Sequence, residues 1–485
     1  MSWHVRVVRN RYADSVRLMA LAKDLRGRSD IAACEVAMGT AANLEALAAL
    51  GADVSASPTD VVLAVDAGAE AAAAALGEAE AALTAAVKPP EGAPGRPPPR
   101  TLAGAAARLD GANIALVSVP GEYATLEAYH ALAAGLHVFL FSDHVGEADE
   151  IALKRMAAER GLLVMGPSCG TAMLGGVGLG FANVVRAGPV GIVAAAGTGA
   201  QEAACLLDAA GVGVSHIVGV GGRDLTAAIG GAAFRQGMGM LASDDATETL
   251  LLVSKPPAPE VVASLADAVP AGKRVVAAFV GWAGGPAPFD VHATVEAGAL
   301  AAAGAAQPDL GALERVVDEQ AAKARGRRLL GLYSGGSLAH EAVTLLEPAL
   351  GPIAGNVGHG GEGGSGHLVL DLGEEEYTQG RPHPMVDLTV RCAKLAEAAA
   401  DERVGCILLD VVLGHGSHPD PAAELAAAVR PLAGRALVIA RVCGTPADPQ
   451  SSDRQIERMR AAGAIVAPSN AVAARLAARA VAGVA

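Results

Sequence analysis

Aromatic residues make up only 3% of this sequence, and cysteine is scarce at six residues in 485. With so few rings and so much Gly and Ala, the composition suits tightly packed helices on parallel sheets. The cysteines (Cys34, Cys169, Cys205, Cys392, Cys406 and Cys443) never stand at CxxC spacing. That excludes a dense disulfide framework or a zinc ribbon and points to free thiols in a reducing cytoplasm. Positive charge is also short, for a net charge of −14, which argues against a non-specific nucleic-acid or anionic-membrane binder. A small anionic substrate stays open, because a local pocket can be positive on an acidic protein. No apolar run reaches the length of a membrane span, and the charged start "MSWHVRVVRNRYADS" lacks the apolar core of a signal peptide. A soluble cytoplasmic protein is expected.

What is present is alternation. The length allows about three or four domains. Residues 1–87 alternate strand-like and helix-like runs, a βαβαβα pattern that suggests a ferredoxin-like or ACT-like α+β module. "KPPEGAPGRPPPR", 88–100, reads as a proline-rich linker. From 101 to 186, short apolar runs such as "NIALVSVP", "HVFLFSD" and "LLVMGPS" sit between helical stretches, as in a doubly wound Rossmann-like sheet.

Then the chain repeats itself. "GTGAQEAACLLDAAGVGVSHIVGVGG", 197–222, matches "GSLAHEAVTLLEPALGPIAGNVGHGG", 336–361, at a constant offset of 139 without a gap. Gly197 pairs with Gly336, Thr198 with Ser337, Glu202 with Glu341, and Gly219, Gly221 and Gly222 with Gly358, Gly360 and Gly361. An apolar strand precedes each copy and two more follow it. The spacing predicts two duplicated α/β domains, 187–310 and 329–485, joined by a charged helix over 311–328, with strand ends facing a shared site.

Each copy puts a glycine turn straight into a helix start. Read blandly, Thr198 and Ser337 are N-caps, and Glu202 and Glu341 lie in the first turn, where they favour the helix dipole. The other reading is an anion resting on the exposed N–H groups of both helices, at the strand ends where open α/β sheets bind ligands. Duplication favours the second. The glycines of "GVGGRDL" (219–225) and "GNVGHGGEGG" (355–364) either allow positive φ in tight turns or let a phosphate approach backbone. "DVVLGHGSHPDP", 410–421, sets His415, Ser417 and His418 in a glycine loop; phosphate or substrate contact suits it better than metal, with plain turn residues as the bland reading. Five of the twelve histidines fall between 359 and 418. Cys169 has no base beside it and reads as a packing residue. "GGVGLG", 175–180, lacks the strand and helix of a dinucleotide fingerprint.

On "LLVMGPSCG" followed by "VGIVAAAGTGAQEAACLLDAAGVGVSHIVGVGGRDL", the chain resembles the α subunit of succinyl-CoA synthetase, with its GPNC-type turn, SGT-type helix start and GxGGD-type loop. Residues 331–485 look like the matching domain of that enzyme's β subunit. The whole chain is similar to the FdrA family of acyl-CoA-synthetase-like proteins. The resemblance implies tandem flavodoxin-like ligase domains, a degenerate CoA-binding domain, and phosphate held by Gly197 and Thr198; the repeat and the glycine loops add Gly199, Gly221, Gly222, Gly336, Ser337, Gly414, His415, Gly416 and Ser417 as phosphate or substrate contacts. Glu202 would be the carboxylate beside a phosphohistidine, and His292 the nearest histidine to carry it. Two departures stand: no GxTGxxG turn occurs near 101–115, and the stretch after "VVAAFVGW" reads "GGPAPFDVHATVEAGAL", not GHAGA.

The function implied is carbamoyl transfer between oxalurate and phosphate, giving oxamate and carbamoyl phosphate, within a multi-subunit, operon-encoded enzyme. The ligands expected are phosphate or acyl or carbamoyl phosphate, with CoA possible, no tightly bound metal, no nucleic acid and no membrane. One alternative is an NDP-forming acyl-CoA synthetase subunit whose partner brings an ATP-grasp domain. Another is a non-catalytic ligand-binding regulatory subunit, which the ACT-like start would suit.

Overall fold

In the computed structural model, the residues described are 3–11, 13, 15–84, 99–282, 284–285, 287–322, 324, 326–357, 366–378 and 381–483. They form two units, residues 1–97 with 375–383 and residues 98–374 with 384–485. Most of the expected linker, and Gly358, His359, Gly360 and Gly361, lie outside the described residues.

The first unit runs β1 (Trp3–Val8), α1 (Ser15–Arg26), β2 (Ile31–Met38), α2 (Ala41–Ala49), β3 (Val61–Ala67) and α3 (Ala69–Thr84). Its sheet has the order β1-β3-β2, with antiparallel neighbours. Central β3 is buried at every position because both its faces are covered. Val61, Leu63 and Val65 pack with Leu18, Leu25, Leu76 and Leu83 of α1 and α3. Val62 and Ala64 meet Leu47 of α2 on the other face. This is the expected α+β module, with three antiparallel strands of a ferredoxin-like order.

The second unit opens with α4 (Leu102–Ala106), β4 (Ile114–Val117), α5 (Gly121–Ala133), β5 (His137–Leu140), α6 (Glu147–Glu159) and β6 (Val164–Met165), a parallel sheet of order β4-β5-β6. A hairpin of β7 (Thr171–Leu174) and β8 (Val177–Gly180) follows. Gly175 and Gly176 form its two-residue turn with φ of 57° and 82°, the positive pair a type I′ turn requires. The "GGVGLG" stretch is therefore hairpin, not nucleotide loop.

Next come β9 (Ala187–Ala195), α7 (Gly197–Ala209), β10 (Val214–Gly219), α8 (Ala232–Ala242), β11 (Thr249–Ser254), α9 (Pro259–Ser264), β12 (Arg274–Phe279), β13 (Asp290–His292) and α10 (Val295–Ala303). Helix α11 (Gly311–Ala321) leads to β14 (Arg328–Tyr333), α12 (Gly336–Leu350), β15 (Ala354–Gly355) and β16 (Leu368–Asp371). The short α13 (Glu375–Thr378) belongs to the first unit. The chain ends with α14 (Thr389–Ala400), β17 (Val404–Val412), α15 (Pro421–Val429), β18 (Leu437–Cys443), α16 (Ser452–Ala461), β19 (Ile465–Ala467) and α17 (Asn470–Ala482).

The two large sheets have the orders β13-β12-β11-β9-β10-β7-β8 and β15-β16-β14-β17-β18-β19. Each contains five parallel strands in the flavodoxin-like order 2-1-3-4-5. Helices cover both faces of the first: Ile192 and Ala194 of β9 face α7 and α10, whereas Val193 and Ala195 face α8 and α9. Alternation buried on both sides is what makes these strands read as unbroken apolar runs. The repeats part after the helix. By sequence offset β15 corresponds to β10, yet β16 takes the place beside β14 and β15 lies outside it.

Candidate functional site

Two helix starts, α7 and α12, lie at the carboxyl ends of β9 and β14. The helices begin two residues earlier than Thr or Ser capping would require. Ala196 and Gly335 are the N-caps, and neither helix receives a side-chain cap. Strand β9 stays extended through Ala196, with φ of −161°, which leaves Thr198 and Ser337 as second helical residues. Thr198 and Ser337 are thus not N-caps. Nor do Glu202 and Glu341 lie in the first turn.

The two starts touch. A Cβ on Gly335 would stand 2.7 Å from Thr198 Cγ2, and one on Gly199 would stand 3.4 Å from Ser337 Cβ. Thr198 is 5% exposed, and its Oγ1 has no hydrogen-bond partner. That hydroxyl lies 3.0 Å from the Cβ position of Gly335, directed at the start of α12. First-turn N–H groups of both helices thus meet beside one unsatisfied buried hydroxyl.

A shallow cleft, open to solvent, runs from Gly197 along Gly219, Gly221 and Gly222 to the turn at Ser168–Thr171. Its glycines have different reasons. Gly221, at φ +86°, would drive a Cβ to 2.4 Å from Pro167 O, and Gly219 would meet Thr171 O at 2.2 Å. Those two serve close packing. A Cβ on Gly197 would come no nearer than 3.9 Å to Thr171 Oγ1, and one on Gly222 no nearer than 4.0 Å to Lys255 Cε, so backbone there is open to a ligand. In the same loop, Asp224 accepts 2.8 Å from Phe234 N at the start of α8 and pairs with buried Lys154. Cys169 is buried, which pushes its thiol up to about 12, the inert packing residue expected.

Two charged residues that the motifs gave no sign of converge here. Lys255 follows β11, and a Cβ on Gly336 would lie 3.4 Å from its Nζ. The same point is 2.9 Å from Oδ2 of Asp371, the last residue of β16. Asp371 is 2% exposed, and its Oδ1 accepts 2.8 Å from Gly373 N. Burial pushes this carboxyl up to about 7, against the opposing pull of Gly373 N–H and Lys255.

The predicted carboxylate Glu202 is fully buried and engaged elsewhere. It accepts 2.9 Å from Arg441 Nε and 2.9 Å from Asn470 N at the start of α17. His292 stands on edge strand β13 with Nε2 3.1 Å from Asp290 Oδ2. The stretch nearest a GHAGA pattern starts earlier than expected, at Gly281-Trp282-Ala283-Gly284-Gly285, which puts Trp282 at the place of its histidine. The Trp282 ring packs edge-on against Phe279, centroids 6.3 Å apart. The loop at Gly414–Ser417 is a clip. His415 N donates 2.8 Å to Ala182 O, Gly414 N donates 3.0 Å to Gln450 Oε1, and a Cβ on Gly414 would meet Ala182 O at 2.4 Å. Buried His418 pairs with Glu424, 2.9 Å away, while His415 is exposed.

The turn from β4 into α5 has a single glycine, Gly121, whose Cβ would stand 2.3 Å from Asp143 O, so the 143–144 backbone closes it.

These features define an α/β protein of CoA-ligase type. The CoA-ligase family matches residues 332–480, and residues 1–97 match the family described as AllF, heavy metal-associated domain. YahF of Escherichia coli is 38% identical over 398 residues, covering 76% of this chain and 77% of YahF. The chain belongs with it to the FdrA family of acyl-CoA-synthetase-like proteins. It is also 30% identical over 149 residues to an ADP-forming succinate–CoA ligase α subunit of Trichomonas vaginalis, and that match spans 30% of the chain and 47% of the subunit. Among solved structures, the dinucleotide-forming acetyl-coenzyme A synthetase 1 of Ca. Korarchaeum cryptofilum covers 79% of this chain and 85% of its own, at 14% identity and a TM-score of 0.30.

The name of the N-terminal family raises a metal, and the residues do not fit one. Residues 1–97 hold one cysteine and one histidine, Cys34 and His4. Cys34 is fully buried in the module's core, and burial pushes its thiol up to about 11, far from the exposed thiolates that soft metals select. Among the described residues, no group of three or more His, Cys, Asp or Glu could hold a metal ion. No helix among them is long and apolar enough to cross a membrane.

Proposed function

We propose that this chain is a subunit of a phosphate-linked carbamoyl transferase, converting oxalurate and phosphate to oxamate and carbamoyl phosphate with other, operon-encoded subunits. The observation that carries the reading is the meeting of two uncapped helix starts around the unpartnered hydroxyl of Thr198. Oriented N–H groups on two helices favour an anion with several oxygens, and the same donors stabilise charge that develops on the acyl oxygen during transfer. Carbamoyl phosphate meets both demands in one molecule.

Trp282 favours this over the ligase alternative. A synthetase working through phosphohistidine needs an imidazole in that loop, and an indole offers no nucleophilic nitrogen.

The test is turnover by the chain purified with the subunits encoded beside it. Oxalurate and phosphate should yield carbamoyl phosphate with neither ATP nor CoA added. Turnover only with ATP and CoA contradicts the reading and restores the acid–thiol ligase. Tight phosphate binding without turnover of either kind identifies a regulatory subunit.

A further inference from the structure

Lys255 and Asp371 come from different repeats, and the motif series assigns neither a role. Lys255 leaves the carboxyl end of β11 in the first sheet, and Asp371 ends β16 in the second. They meet at Gly336, where one point lies 3.4 Å from Lys255 Nζ and 2.9 Å from Asp371 Oδ2. Lys255 also approaches the cleft, with its Cε 4.0 Å from the Cβ position of Gly222. A half-buried ammonium so placed spans the cleft and the start of α12. Among the described residues it forms no ion pair with Asp371, whose Oδ1 accepts from Gly373 N.

We propose that Lys255 binds the phosphate oxygens and that Asp371 carries the proton in the transfer, an assignment that rests on the carbamoyl-transfer reading above. A phosphate oxygen bonds to the carbamoyl carbon, and the bond from that carbon to the amide nitrogen breaks. The electron pair goes to nitrogen. The proton of the phosphate hydroxyl passes to the Asp371 carboxylate and from it to the departing nitrogen, so Asp371 ends as it began. Oxalurate monoanion and phosphate dianion become oxamate monoanion and carbamoyl phosphate dianion, with no net proton, electron or cofactor consumed. Lys255 meets the first charge to arrive, and the donors of α7 and α12 hold the rest. The groups that set the proton affinity of Asp371 are Gly373 N–H and Lys255, which favour the carboxylate, and burial, Glu374 and Asp410, which oppose it. Their balance leaves Asp371 able to accept and release a proton near neutrality.

The test is calorimetric titration of the full-length chain with phosphate and with sulfate, an anion that does not itself titrate between pH 6 and 8. Lys255→Met keeps the side-chain stem and should weaken both anions by about tenfold to a hundredfold with an unmoved melting temperature. Sulfate should bind the wild type more tightly as pH falls through 7, as Asp371 takes a proton and stops repelling it. Asp371→Asn should bind sulfate tightly at every pH in that range. Wild-type affinity in Lys255→Met overturns the lysine assignment and leaves the transferase reading standing. Sulfate affinity in the wild type that ignores pH overturns the aspartate assignment, whatever the variant does. A wild-type chain that binds neither anion removes the site and the transferase reading together.

Discussion

Glu202, on α7 of the first repeat, accepts a hydrogen bond 2.9 Å long from the backbone N–H of Asn470, the first residue of α17 in the second. Glu341, its counterpart on α12, accepts 2.7 Å from Val295 N at the start of α10 in the first. Each repeat therefore supplies a buried carboxylate to the last helix of the other. Asn470 completes the crossing, because its Nδ2 donates 2.7 Å to Glu341 Oε2. The exchange locks α7 against α12, and with them the two helix starts of the site.

Removing the arginine from this crossing should be costly. Glu202 is 0% exposed, and Arg441 is its only ionic partner among the described residues. Arg441→Met is expected to destabilise the chain by about 3–5 kcal/mol, since it strands a buried charge. Adding Glu202→Gln should recover part of that loss. Chemical denaturation of both single variants and the double variant measures the coupling; additive losses contradict it.

The pH dependence of stability should report Glu341. Burial raises its carboxyl to about 7 from an ordinary value of 4.5, against the pull of Asn470 and Val295 N–H. Between those values the folded chain holds a proton that the unfolded chain has released, so stability falls as pH rises from about 4.5 to 7. Glu341→Gln, which keeps an acceptor for Val295 N, should flatten that part of the profile. Denaturant midpoints at pH 5, 6 and 7 would show it, and an unchanged slope would place the proton elsewhere.

Gly221 and Gly222 should separate packing from binding. Gly221→Ala forces a Cβ against Pro167 O at φ +86° and is expected to lower the melting temperature by several degrees. Gly222→Ala meets only Lys255 Cε, at 4.0 Å, so it should melt like the wild type and lose phosphate affinity. Thermal melts paired with phosphate titration decide; a destabilised Gly222→Ala with normal affinity reverses the assignment.

No phosphohistidine should form. Incubated with labelled ATP and the neighbouring subunits, the chain is expected to take up no acid-labile label, because Trp282 stands in the loop and His292 pairs with Asp290 on an edge strand. Label on His292 would revive the ligase alternative.

Much of this was legible in the sequence. Apolar runs marked the strands because both faces of each central strand are covered, and the constant offset through α7 and α12 exposed the duplication. The offset also marked the helix starts as a matched pair. It misled in two places. Thr198 and Ser337 have the chemistry of N-caps, but the strand register carries the extended chain through Ala196, and the hydroxyls fall inside the helices. Past the helices the offset aligns β15 with β10, whereas hydrogen bonding puts β16 beside β14. The partners of Glu202 could not be read at all, since Arg441 and Asn470 lie 239 and 268 residues away. Lys255 and Asp371 were hidden for the same reason: one follows an ordinary strand and the other ends one, and only the packing of two sheets brings them to one glycine.

The central claim is that the starts of α7 and α12 form one anion site, and phosphate titration of Thr198→Ala and Ser337→Ala in the full-length chain tests it most directly. Neither hydroxyl caps its helix, so both variants should unfold within about 0.5 kcal/mol of the wild type, not with the loss of about 1 kcal/mol that a removed cap brings. The wild type should bind one phosphate per chain, and each variant should weaken that same event. Two independent phosphate sites, or wild-type affinity in both variants, would mean that the paired helix starts serve packing alone.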